Sequence, residues 1–255
     1  MTCMISHDVR RSCKTVLTVL FEKVPLNRVR KSDSASYSIL ASIMSHVYAS
    51  SHPLVAHKIS ILRNKNTKSK QIRELMHEIG QLLAYEATAD LSLKTAEPQQ
   101  SPLRTYSSVE LAPKIGLVPI LRSGISFVNA LQELIPTARI LHLGIFREKI
   151  SLQPVEYYNK LPSEPNVDQV IVLEPMIATG GTAIAAVSIL KDWGIKSKIK
   201  FITAVASRQG LNNLHKKYPD VEVFVGVIDE ILDDHGYIVP GLGDAGDRLF
   251  DTPSA

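Results

Sequence analysis

Val170-Ile-Val-Leu-Glu-Pro-Met-Ile-Ala-Thr-Gly-Gly-Thr182 decides the fold. A short, wholly apolar run at 170–173 reads as a buried strand. It ends in an acid, Glu174, and passes through a brief loop into a helical segment at 182–193. Two adjacent glycines let the backbone approach an anion closely, and the first N–H groups of the helix present the favourable end of its dipole. Thr179 and Thr182 add hydroxyl donors. The plainer alternative is a tight strand-to-helix turn, with threonine as cap and glycine relieving strain. A nucleoside-triphosphate loop is excluded, because that loop needs Lys after its last glycine. An acid ahead of a phosphate cradle suits a sugar phosphate, the carboxylate taking ribose hydroxyls while the loop holds the 5′-phosphate.

Outward from this loop, apolar strands alternate with helical segments. Strand-like runs fall at 117–121, 139–145, 170–173, 199–206 and 221–228, and helical segments at 71–88, 125–134, 182–193 and 211–218. In the first helix Ile72, Leu75, Met76, Ile79, Leu82 and Leu83 recur at the spacing of one buried face. Parallel strands need crossovers, which helices supply. The expectation is therefore an α/β fold with a parallel sheet of about five strands and helices on both faces. Ligands of such sheets bind beyond the carboxyl ends of the strands, which points to the loops after Leu121, Ile145, Leu173 and Ile228.

The bulk numbers exclude several classes. The chain has 255 residues, 45% hydrophobic and 21% charged, which is ordinary for a globular protein. The net charge of +4 belongs to residues 1–43, where seven Lys and Arg face three acids, and the remainder is balanced. A general nucleic-acid partner is not expected. No apolar run approaches the roughly 20 residues that span a bilayer. Cys3 and Cys13 are the only cysteines. They make neither a disulfide framework nor a zinc site, and a reducing, cytoplasmic setting is the expectation. The basic, Ser-containing leader 1–43 has three readings: a targeting segment, a disordered extension, or residues ahead of a translation start at Met44. Residues 44–255 are expected to form the functional domain.

Glu174-Pro-Met-Ile-Ala-Thr-Gly-Gly181 resembles the phosphoribosyl-diphosphate signature of the uracil phosphoribosyltransferase family, type I phosphoribosyltransferases in which the stretch usually starts with Asp. Further similar segments follow in the right order. They are His52-Pro-Leu-Val-Ala-His-Lys58, Leu83-Ala-Tyr-Glu-Ala-Thr-Ala-Asp-Leu91, Val118-Pro-Ile-Leu-Arg-Ser-Gly124, Pro154-Val-Glu-Tyr-Tyr-Asn-Lys-Leu-Pro162 and His235-Gly-Tyr-Ile-Val-Pro-Gly-Leu-Gly-Asp-Ala-Gly-Asp247. The resemblance runs from about His52 to the end.

It implies transfer of the phosphoribosyl group to N1 of uracil, giving UMP and diphosphate. Arg122 and Arg147 match family positions that contact phosphoribosyl diphosphate, and a planar guanidinium suits bidentate phosphate contacts. With Asp244 they form the implied catalytic set. Glu174, Pro175, Met176, Ile177, Ala178, Thr179, Gly180, Gly181 and Thr182 are the implied phosphoribosyl-diphosphate loop. Ile238, Gly243, Asp244 and Ala245 match the uracil pocket. Mg²⁺ is expected to arrive on the substrate, held mainly by its oxygens and water. Family members commonly form homodimers or homotetramers and some are activated by GTP, so both are expectations here. Residues 153–165 read as a long loop or β-arm, which in phosphoribosyltransferases can close as a flap.

Gly241-Leu-Gly-Asp-Ala-Gly246 also matches a dinucleotide-binding pattern. Pro240 stands where that motif needs a continuous strand, and the few residues after Gly246 are expected to leave no helix. Two departures from the family pattern stand out. Glu174 replaces Asp, and Ser207-Arg-Gln-Gly210 replaces the commoner Ala-Pro-Glu-Gly. They motivate a second reading, a regulatory homologue that binds phosphoribosyl diphosphate or UMP but turns over weakly.

Overall fold

The computed structural model describes residues 46–148 and 154–252, with Arg147 described through its backbone alone. The leader, and Cys3 and Cys13 within it, lie outside the described residues, and residues 43–255 are one unit.

In chain order the elements begin with β1 (Val47–Ala49), α1 (Pro53–Arg63) and α2 (Ser69–Ala87). Four short strands follow, β2 (Leu93–Thr95), β3 (Gln99–Gln100), β4 (Thr105–Tyr106) and β5 (Val109–Leu111), then β6 (Ile115–Leu121). A 3₁₀ turn (Ser123–Phe127) leads into α3 (Val128–Leu134), β7 (Arg139–Ile140), β8 (Leu143–Arg147) and β9 (Pro154–Asn159). The second half holds β10 (Gln169–Leu173), β11 (Met176–Ile177), α4 (Gly181–Trp193), β12 (Ile199–Ser207), α5 (Arg208–Lys217) and β13 (Glu222–Asp229). It closes with β14 (Ile231–Leu232), β15 (Ile238–Val239) and α6 (Ala245–Phe250).

The main sheet runs β1-β13-β12-β10-β6-β8-β9, with β7 and β11 attached at its side. All five expected strands lie together in its middle, and every pairing among them is parallel. The sheet is larger than the expected five for four reasons, the first being that β11, in the phosphate loop, pairs with the end of β12. β1 adds a parallel edge beside β13. The run at 139–145 is broken into β7 and β8. The arm after β8 folds back as β9, antiparallel, with a bulge between Gly144 and Ile145.

Alternation explains why the central strands are apolar throughout. Val170 and Val172 face one side with Val187, Leu190, Leu211 and Leu214 of α4 and α5. Ile171 and Leu173 face the other, with Ile72, Met76, Ile79 and Leu83 of α2 and Leu131 of α3. Side chains two apart share a face, so a strand covered on both sides must be apolar at every position.

Helix ends follow local chemistry. α5 begins at Arg208, three residues before the expected start, because the Ser207 Oγ accepts the Gly210 N–H and caps it. α4 stops at Gly194, whose φ of 114° carries the left-handed turn that returns its N–H to the Leu190 carbonyl. The expected helix at 125–134 is part 3₁₀, part α. A Cβ on Gly124 would stand 2.1 Å from the Leu173 carbonyl oxygen, so only glycine passes there and the turn tightens against β10. α1 lies outside the helical segments that periodicity marks. Its cap is His52, whose Nδ1 accepts from the Leu54 N–H, followed by proline in the first turn.

The C-terminal stretch needs a correction. A six-residue helix, α6, does form and takes in the last glycine, Gly246, started by the Asp244 side chain accepting from the Asp247 N–H at 2.9 Å. The dinucleotide reading still fails, since α6 opens no strand–helix–strand unit. Among the described residues no helix is long and apolar enough to cross a membrane.

Candidate active site

Every loop singled out by the strand-end rule converges. Leu121 ends β6, Ile145 sits near the end of β8, Glu174 follows β10, and His235 to Tyr237 lie beyond β13. All four line one cavity of about 930 Å³ at the carboxyl edge of the sheet.

Of the residues expected to contact ligand, Arg122, Glu174, Met176, Ala178, Thr182, Gly243, Asp244 and Ala245 line this cavity. Pro175, Ile177 and Gly180 are buried within the loop that carries them. Thr179 and Gly181 are half-buried at the helix entrance. Ile238 is not brought to the cavity wall. Its side chain is 4% exposed and packs in the core, while its carbonyl oxygen seats Gly241, where a Cβ would fall 2.1 Å away. Arg147 ends β8 on the same sheet edge.

The phosphate loop has the backbone its sequence calls for. Gly180 adopts φ +85°, the left-handed region that suits glycine, and serves as the N-cap residue of α4. The first N–H groups of any helix lack intrahelical partners, and no side chain caps these. They are donors available to an anion.

Glu174 is 8% exposed, and burial pushes its carboxyl up to about 8. The Ser123 hydroxyl, donating to Oε1 at 3.2 Å, and the Met176 N–H pull in the opposite direction, while the charge of Asp244 adds to the rise. Burial therefore favours the protonated carboxyl until donors or a cation reach it. Arg122 is half-exposed. Its Nη2 donates to Asp247 Oδ1 at 3.0 Å; the Thr252 hydroxyl, donating to the same oxygen, and then Arg122 hold the Asp247 carboxyl below its usual range.

Several cavity residues had no role in the sequence reading. Ser123 stands beside Arg122 in a quoted segment, yet its partner Glu174 is 51 residues away and only the fold joins them. Phe146, Glu148, Tyr157, His235, Tyr237 and Gly246 also line the cavity. The aromatic pair in the arm was a usable signal. Tyr157 packs against Phe146 with ring centroids 5.9 Å apart. The Arg in Ser207-Arg-Gln-Gly210 is answered by Glu230, which pairs with it at 2.7 Å.

A family model, uracil phosphoribosyltransferase, matches residues 49–252. A uracil phosphoribosyltransferase of Roseiflexus sp. (strain RS-1) is 52% identical over 209 residues, which are 82% of this chain and all of the relative. The chain belongs to the uracil phosphoribosyltransferase family. A second relative bearing that name, from Geobacillus sp. (strain WCH70), is 46% identical with the same coverage. The solved structure of the AQ2163 protein from Aquifex aeolicus is 36% identical, covers 82% of this chain and all of its own, and superposes with a TM-score of 0.77. In this uracil phosphoribosyltransferase family member the loop after β10 and the glycine-rich C-terminal stretch line the same cavity.

Proposed function

We propose that this chain is a uracil phosphoribosyltransferase that joins uracil to 5-phosphoribosyl 1-diphosphate, forming UMP and diphosphate. The bond from C1′ to the diphosphate oxygen breaks and its electron pair leaves with the diphosphate, the bond from C1′ to uracil N1 forms, and the N1 proton passes to solvent. One observation carries the reading. A single cavity is lined by Glu174, Met176, Ala178 and Thr182 of the phosphate loop and by Gly243, Asp244 and Ala245 of the glycine-rich stretch, together with Arg122.

In this reading the N–H groups opening α4 and the hydroxyls of Thr179 and Thr182 hold the 5′-phosphate throughout. Arg122 and, by the family resemblance, Arg147 are the cations assigned to the diphosphate, whose charge grows as C1′ becomes cationic. Donors that meet the developing charge lower the barrier. Glu174 accepts from the ribose hydroxyls, and Asp244 stands beside the phosphoribosyl group. Backbone groups of Gly243 and Ala245, with the Ile238 main chain behind them, read the uracil edge. A buried polar site rejects cytosine because its groups would be left unpaired.

Mg²⁺ fits as a passenger of the substrate, neutralising diphosphate charge. Glu174 and Asp244 both face the cavity, near enough for the charge of one to raise the carboxyl of the other. Among the described residues no group of three or more His, Cys, Asp or Glu is placed to hold a metal unaided. A GTP effector, a homodimer or homotetramer and a cytoplasmic location are carried over from the family resemblance and the cysteine usage. GTP titration and sedimentation velocity test the first two.

The assay is the full chain with labelled uracil, phosphoribosyl diphosphate and Mg²⁺. UMP formed at ordinary enzyme rates is the expected result. Tight binding of phosphoribosyl diphosphate without product would instead make the chain a regulatory homologue.

A further inference from the structure

We infer that Ser207 and Asn213 are positioning residues that aim the phosphate loop, and that Ser207 does so at a place where the family pattern more often has alanine. The inference rests on the proposed reading that this loop holds a ribose 5-phosphate.

The loop touches more than its own helix. At the end of β12 the Ser207 hydroxyl is wholly buried and donates to the Ala178 carbonyl, while accepting the Gly210 N–H at 2.8 Å. One turn into α5, Asn213 Nδ2 donates to the Thr179 carbonyl at 3.0 Å. The two chains lie so close that a Cβ on Gly210 would stand 2.2 Å from the Ala178 oxygen, and one on Gly180 would stand 2.6 Å from the Gly210 oxygen.

The consequence follows from peptide geometry. In a planar trans peptide the C=O and the next N–H point in opposite directions. Holding the Ala178 and Thr179 carbonyls toward α5 turns the N–H groups of Thr179 and Gly180 away from it. Two carbonyl oxygens that would repel a phosphate are thus anchored elsewhere, and two donors are left to face it. Gly180, in the left-handed region, has no side chain to restrain the loop itself. The restraint comes from α5 and its cap.

Removing either donor frees one peptide to rotate. Ser207→Ala and Asn213→Ala are each expected to weaken ribose 5-phosphate about threefold to tenfold by calorimetry, the range of one hydrogen bond. The KM for phosphoribosyl diphosphate should rise by a similar factor, with the KM for uracil unchanged. Asn213 is exposed, so its variants fold even if a Ser207 variant does not. Asn213→Asp, which keeps the shape but places an oxygen where the donor was, should weaken binding at least as much as alanine. Ser207→Thr, which keeps the hydroxyl, should restore it. Unchanged ribose 5-phosphate affinity in the Asn213 variants overturns the inference. So does a rise in the uracil KM in step with that for phosphoribosyl diphosphate, which would mark a general loss of structure. If the unaltered chain binds ribose 5-phosphate yet forms no UMP, the proposed activity fails while the calorimetry still decides this point.

Discussion

Arg63 and Asp229 meet as a two-pronged ion pair, Nη1 to Oδ2 at 2.9 Å and Nη2 to Oδ1 at 2.8 Å, at the junction of α1 and the carboxyl end of β13. Both also grip the glycine-rich stretch. Arg63 donates to the Gly241 carbonyl, and the Gly241 N–H donates to Asp229. Arg248 adds a second tie, donating to the carbonyls of Leu62, Asn64 and Leu242. The wall assigned to uracil is therefore hung from the end of α1.

Arg63→Met strands the Asp229 carboxylate, which is 7% exposed. Losing one member of a buried pair costs about 3 kcal/mol or more. Urea unfolding should show that loss. At temperatures where the variant is folded, the KM for uracil should rise more than the KM for phosphoribosyl diphosphate. Equal rises would show that the pair does not act through the Gly241 stretch.

Glu174 predicts a pH dependence of stability. Its carboxyl is raised from an ordinary 4.5 to about 8 in the folded chain, chiefly by burial. Between those values the folded state binds the proton more tightly than the unfolded state, so this residue's contribution to stability falls as pH rises from about 4.5 toward 8. Glu174→Gln removes that slope. Urea titrations of both proteins from pH 5 to 9 should diverge most at the alkaline end, the variant being the more stable there. Parallel curves would contradict the assignment.

Asp244 has two separable duties, a helix cap and a charge facing the cavity. Asp244→Asn keeps an acceptor for the Asp247 N–H, so the melting temperature should hold while kcat falls. Asp244→Ala should lose the cap as well, about 1 kcal/mol. A fall in activity with alanine alone would mean that the charge is not used.

Gly180→Ala places a Cβ in a left-handed residue and against the Gly210 carbonyl. Affinity for ribose 5-phosphate should drop by about tenfold or more, in line with a strain of roughly 1–3 kcal/mol at such a site. Circular dichroism should show the helices intact.

Much of this architecture is legible in the chain itself. The five central strands announce themselves because burial on both faces leaves an unbroken apolar signature. α2 is legible from its apolar spacing, and α4 from the glycines and threonines at its start. The short, exposed strands of the 93–111 region carry no such pattern. Nor does β1, whose few residues depend on β13 for every hydrogen bond of their ladder. Within the site, Arg122, Glu174 and Asp244 stand in motifs with chemical character. Ser123, Arg63 and Asn213 do not, since each acquires its meaning only from a partner far away in the chain. Ile238 shows the converse, a motif position whose side chain serves the core.

The edge pairing of β1 also sets an order of events in time. Among the described residues Val47 finds its ladder partner in Val223, across nearly the whole length of the domain. Contacts so distant along the chain close late, after the loop between them has been paid for by nearer ones. During synthesis β1 must wait for β13 to be made, and in the finished protein it should be the first part of the sheet to exchange its amide hydrogens with solvent.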